Sequence, residues 1–177
     1  LAQQIKHNFR GHGTFILGHE YPRAVWFYFP VALTIKTTLS LLSLPLVILA
    51  AHRTALRNWA CLIAAVLLVY SLTCRVQIGI RFMFPLMVFL CIGLGAAAAV
   101  ALTHLRGWRQ IALTIWLGIG ISAAAFSAIS VWPHGICYTN LAWGGTVNGY
   151  RLLSDSNYDW GQGLPDLRTW QGRHDVA

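Results

Sequence analysis

Phe82-Met83-Phe84-Pro85-Leu86-Met87-Val88-Phe89-Leu90-Cys91-Ile92-Gly93-Leu94-Gly95-Ala96-Ala97-Ala98-Ala99-Val100-Ala101-Leu102-Thr103 runs without a charged side chain. It exceeds the roughly 18 consecutive apolar residues that mark a helix able to cross a bilayer, so a lipid-embedded helix is the first expectation. Three further apolar stretches flank it: about Phe29 or Pro30 to Ala51, about Asn58 to Cys74, and about Gln110 to Trp132. The predicted fold class is an all-α integral membrane protein with four transmembrane helices. Residues 30–132 form that region, residues 1–29 an outer-face loop with interfacial aromatics, and residues 133–177 an outer-face tail that begins a soluble region.

The composition agrees. The chain of 177 residues is 56% hydrophobic and 10% charged, too few charges to cover the surface that a water-soluble fold of this size exposes. A soluble enzyme and a disordered chain are both disfavoured. The formal net charge of +8 comes from basic residues scattered through the gaps between apolar runs, without the cluster or basic-aromatic stripe of a nucleic-acid surface. Membrane lipid, not nucleic acid, is the expected partner. Cys61, Cys74, Cys91 and Cys137 lack paired spacing and read as structural thiols. The residues before the first apolar run are polar and aromatic, unlike a secretory signal, and the chain reads as a piece of something longer.

Orientation follows from the arginines of the short loops. Arg53 and Arg57 sit in the first, Arg106 and Arg109 in the third, which places those loops in the cytoplasm and both tails outside. Trp26-Phe27-Tyr28-Phe29 reads as an interfacial belt. Pro30 and Pro85 fall near span starts, whereas Pro45 lies inside the first span and is expected to kink it. The small residues Gly93, Gly95, Ala96 to Ala99, Gly118, Gly120 and Ala123 to Ala125 are expected to let helices approach closely. In the tail, Leu164-Pro165-Asp166-Leu167 looks like a helix start.

Counting from Pro30 puts Lys36 roughly 9 Å into the first span, where it either snorkels or meets an anion such as a lipid-linked phosphate. Arg75 and Arg81 bracket the second, outer loop, and a guanidinium at the membrane surface suits either bidentate phosphate recognition or plain anchoring. His12, His19 and Glu20 share the N-terminal outer loop; a divalent metal and a substrate-side role are the two readings of that set. Asp155 to Asp166 has the length of a calcium loop but carries Trp160 where such a loop needs Gly, so Asx turns are the better expectation. Apart from that divalent metal, no cofactor is expected.

Gly11 to Glu20, followed by Trp26 to Leu33 and Ile35-Lys36-Thr37, resembles the late luminal loop and span of bacterial integral-membrane glycosyltransferases of the C-type superfamily, near family 39. That is the protein mannosyltransferase-like and aminoarabinose transferase-like group. Gln77-Ile78-Gly79-Ile80-Arg81-Phe82-Met83-Phe84-Pro85 is similar to the group's loop and following span, and Tyr150 to Gln162 to the segment opening its outer C-terminal region. The resemblance implies transfer of a sugar from a polyprenyl-phosphate donor on the outer face of the bacterial inner membrane, inverting and without a covalent intermediate. It places the base carboxylate in a first outer loop that nothing here matches, leaving Glu20 as the acid of the N-terminal loop. On this reading Lys36, Arg75 and Arg81 are the donor-phosphate candidates, and His19 and Glu20 face the substrates. A non-catalytic membrane scaffold or binding protein is the competing class. A transporter fits less of the pattern, because it usually pairs ionisable residues at midplane.

Overall fold

The computed structural model describes residues 13–174, which are mostly helical. Thr14–Ile16 (β1) and His19–Tyr21 (β2) first pair antiparallel, with Ile16 opposite His19. Their two-residue turn has positive φ at both Leu17 (54°) and Gly18 (78°), the hand that matches the twist of the flanking strands. This hairpin corrects the all-α expectation. Leu-Gly lacks the Asn-Gly signature by which such a turn is usually read from sequence.

The α-helices that follow are α1 (Tyr28–Lys36), α2 (Leu39–His52), α3 (Trp59–Ser71), α4 (Phe84–His104), α5 (Trp108–Ser130) and α6 (Leu164–His174). Three helical stretches are long and apolar enough to cross a membrane: Leu39–Leu56, Ile80–His104 and Trp108–Ser130. Their outward side chains, among them Leu46 (67% exposed), Ile121 (70%) and Phe126 (73%), face the surroundings without cover, an arrangement that suits hydrocarbon and not water. Helix α3 is shorter: its 13 residues span about 20 Å against a hydrocarbon core of about 30 Å.

The first expected span is two helices. The chain leaves helical geometry at Thr37 (ψ 143°) and Thr38 (ψ 144°), before Pro45, which lies inside α2. Asn140 from the tail makes this break possible. Its Nδ2 donates to Thr34 O (2.6 Å) and Thr37 O (2.8 Å), and its backbone N–H to Ile35 O (3.1 Å). Carbonyls that end a helix need such partners when buried. Lys36 therefore closes a separate short helix ahead of the first membrane-length helix, instead of lying within it.

The small residues also divide. A Cβ at Gly93 would stand 2.6 Å from Cys61 N, and one at Gly120 would stand 3.2 Å from Ser40 Cβ, so these two sit at helix contacts. Gly95 and Gly118 meet nothing within 4 Å and correct the expectation that all four are packing sites. Asn58 caps α3 by accepting from Cys61 N (3.0 Å) and reaches α4 by donating to Gly93 O (3.0 Å). The shared Gly93 thus fixes the α3–α4 register.

Two apolar cores result. One gathers Ile16, Tyr28, Phe29, Ile35, Met83, Leu86 and Leu153, where hairpin, α1, the start of α4 and tail meet. The other, with Ile48, Ala55, Leu94, Ala97, Ala101 and Leu105, lies toward the far end of α4. The molecule thus has a hairpin-and-tail end and an opposite end carrying the loops with Arg53, Arg57, Arg106 and Arg109.

Candidate functional site

The hairpin-and-tail end is assembled by buried amides. Gln77 Oε1 accepts from Val25 N (2.9 Å), while its Nε2 donates to Val25 O and to Cys74 O (3.2 Å). This ties the loop after α3 to the segment between β2 and α1. The hairpin joins the tail through a bridge between Ile16 and Leu153 and through Leu17 N donating to Leu152 O at 2.7 Å. Backbone bonds with that partner hold Leu17 in a left-handed conformation that costs a non-glycine residue about 1–2 kcal/mol.

Asn157 is the hub of the tail. Its Oδ1 accepts from Ile80 N (3.0 Å), and its Nδ2 donates to Tyr28 Oη (2.9 Å) and Ser154 O (3.1 Å). Its carbonyl accepts from Lys36 Nζ at 2.9 Å. Lys36 Nζ donates also to Ile136 O (3.1 Å) and lies 4.1 Å from the centroid of the Tyr158 ring. Two carbonyl dipoles and a ring face therefore hold this ammonium, where a carboxylate was not needed. Burial pushes Lys36 down to about 8, partly offset by the neighbouring Cys137 thiol. Burial raises the Tyr158 phenol, against the hydrogen bond it shares with Thr139 Oγ1 at 2.8 Å. Gly149 faces that bond, since a Cβ there would run into Tyr158 Oη and Thr139 Oγ1.

Arg81 stands on the same tail loop. Its guanidinium carbon lies 4.4 Å from the Trp160 ring centroid and 5.3 Å from that of Phe82. Among the described residues it makes these stacking contacts and no hydrogen bond or ion pair, so its fork of donors is available to an anion. Trp160 is itself fixed by donating Nε1–H to Ser156 O (2.9 Å). Asp159 Oδ1 accepts from Gly161 N (2.8 Å), an Asx turn, and Asp166 lies 3.2 Å from His134.

Lys36 and Arg81 are thus brought to one loop, residues 157–160. Arg75 is exposed at the start of the loop between α3 and α4. His19 and Glu20 are exposed on β2, and Glu20 lines a polar cavity of about 480 Å³ with Thr14, Tyr21 and Ser154. A second cavity, about 320 Å³, is lined by Lys36, Ser127, Trp132 and Tyr138. An apolar groove of about 480 Å³ opens between α1, α2, α3 and α4, past Pro30, Leu33, Leu68 and Leu90. His12 lies outside the described residues, and among those described no three His, Cys, Asp or Glu come together. The fixing residues Gln77, Asn140 and Asn157 are ones that charge-based reasoning passes over. Their signal was an amide amid aromatic and turn residues, a polar group that must find partners once buried.

No protein family, curated protein or solved structure matches the chain.

Proposed function

We propose that the chain is the C-terminal part of a C-type membrane glycosyltransferase, which moves a sugar from a polyprenyl-phosphate donor to an acceptor on the outer face of the bacterial inner membrane. In this reading α2, α3, α4 and α5 each cross the bilayer, the short α3 with local thinning of the lipid. The arginine-bearing loops lie in the cytoplasm and the hairpin and tail outside. What supports it is convergence: the stretches around residues 13–20, 77–85 and 150–162, which carry the resemblance, meet at one end through Gln77, Leu153 and Asn157.

Transfer of this kind needs a base to take the proton of an acceptor hydroxyl as it attacks the anomeric carbon, and cations to stabilise the lipid phosphate as its bond to the sugar breaks. Arg81, stacked and with its donors open, is assigned to that phosphate, together with Arg75. Lys36 positions the loop that carries Trp160. His19 and Glu20 are assigned to the acceptor side, and the base to a carboxylate of the upstream part of the enzyme.

Proteoliposomes holding this chain alone, given a labelled polyprenyl-phosphate sugar and a mixed acceptor pool, should transfer nothing. Co-production with the upstream part of its reading frame should restore transfer, and Arg81→Gln should then cut it about a hundredfold, the scale of one lost anion-stabilising donor. Turnover by the chain alone that vanishes in Glu20→Gln would instead make Glu20 the base. Unchanged transfer in Arg81→Gln would remove the donor site from this end.

A further inference from the structure

The end of the molecule remote from the hairpin carries its own concentration of charge. The loop after α2 bears Arg53 and Arg57, the loop after α4 bears Arg106 and the first turn of α5 bears Arg109, all exposed. Ala55 and Leu105 are buried in one apolar cluster, which draws the two loops together. The imidazoles of His52 and His104 stack at 4.7 Å with 18° between their planes. His104 Nδ1 lies 2.9 Å from Val100 O, and a carbonyl can only accept, so that nitrogen carries the proton. His52 Nε2 lies 3.1 Å from Thr54 Oγ1. The stack thus joins the end of α2 to the end of α4, between the two arginine-bearing segments.

Among the described residues these arginines have no carboxylate partner. No acidic residue occurs between Glu20 and Asp155 in the sequence. Trp59 (80% exposed) and Trp108 (75% exposed) open α3 and α5 beside the loops, and tryptophan at the end of a membrane helix favours lipid headgroups. Leu49 and Leu62, also exposed, offer apolar surface next to them.

We propose that this end binds an anionic phospholipid whose headgroup carries two phosphates, one for each arginine pair, with the His52–His104 stack setting the distance between them. Basic pockets between membrane helices recognise such headgroups. The inference is independent of the glycosyltransferase reading.

The test is native mass spectrometry of the purified chain, with the two-phosphate lipid diphosphatidylglycerol, the one-phosphate lipid phosphatidylglycerol at matched total charge, and zwitterionic phosphatidylcholine. Retention of diphosphatidylglycerol should exceed that of phosphatidylcholine by about tenfold or more, and should fall about tenfold in Arg53→Gln/Arg57→Gln and in Arg106→Gln/Arg109→Gln. Arg151→Gln, at the other end, should leave it unchanged. Because the four side chains are exposed and unpaired by carboxylates, the variants should melt like the parent. Equal retention of phosphatidylglycerol would overturn the two-phosphate assignment, and retention unaffected by either double variant would overturn the site.

Discussion

Asn157→Ala should undock the tail from the membrane helices. The side chain is buried at 1% exposure and makes three hydrogen bonds, with Ile80 N, Tyr28 Oη and Ser154 O. A neutral hydrogen bond contributes about 1 kcal/mol net, while a buried donor stranded without a partner costs about 1–3 kcal/mol. Ile80 N–H is the donor stranded here, and with the two other bonds the loss comes to about 3–5 kcal/mol. At about 2–4 °C per kcal/mol for a chain of this size, the detergent-solubilised variant should unfold about 6–20 °C earlier. Hydrogen exchange should place the damage: residues 77–83 and 150–162 should lose protection while α5, which takes no part in the hub, keeps its own. Asn157→Asp retains the acceptor for Ile80 N but buries a carboxylate, and should fall between the two. A midpoint within about 1 °C of the parent, with unchanged exchange in both segments, would refute the hub.

Gly149→Ala should displace the Tyr158 ring from Lys36, because its methyl occupies the space of the Tyr158–Thr139 hydrogen bond; increased exchange across residues 146–160 checks it, and parent-like exchange contradicts it. Gly93→Ala should destabilise by about 1–3 kcal/mol through overpacking against Cys61. Gly95→Ala, which meets nothing, should be neutral or up to about 1 kcal/mol stabilising through helix propensity, and thermal melts of the pair decide between contact and open face. Lys36 titrates at about 8 in the fold against its ordinary 10.5. Between those values the unfolded chain binds more protons than the folded one, so the Lys36 contribution makes stability rise with pH across that window. The melting difference between parent and Lys36→Met, taken at pH 7.5 and pH 9.5, should move in the parent's favour at the higher pH; a constant difference would show that burial does not depress this lysine.

The apolar helices were legible because apolar length and cap residues act locally. Asn58 ahead of an apolar run gives the start of α3, and the expected third and fourth spans differ from α4 and α5 by about two residues at an end. The helix start at Leu164-Pro165 is likewise where the pattern put it. What was not legible depends on contacts between distant residues. The break at Thr37-Thr38 falls where Asn140, about a hundred residues on, supplies donors to Thr34, Ile35 and Thr37, and the polar Lys36-Thr37-Thr38 within the run does not identify that distant partner. The hairpin turn at Leu17 is held by Leu152 and not by a turn sequence. For the candidate site, Lys36 and Arg81 were visible as isolated cations. Their assembly on one loop was not, because it runs through the amides of Asn157 and Gln77, whose partners only the folded chain identifies.

The measurement that bears most directly on an outer working face is cysteine accessibility in intact cells, on a chain whose native cysteines are replaced. Thr54→Cys lies on the arginine-bearing end and Pro22→Cys on the hairpin end, both exposed. A membrane-impermeant maleimide should label position 22 and leave position 54 unlabelled until the cells are opened. Labelling of position 54 with protection of position 22 would invert the topology and place the convergence of hairpin, loop and tail on the wrong side of the membrane for transfer from an outer-face donor.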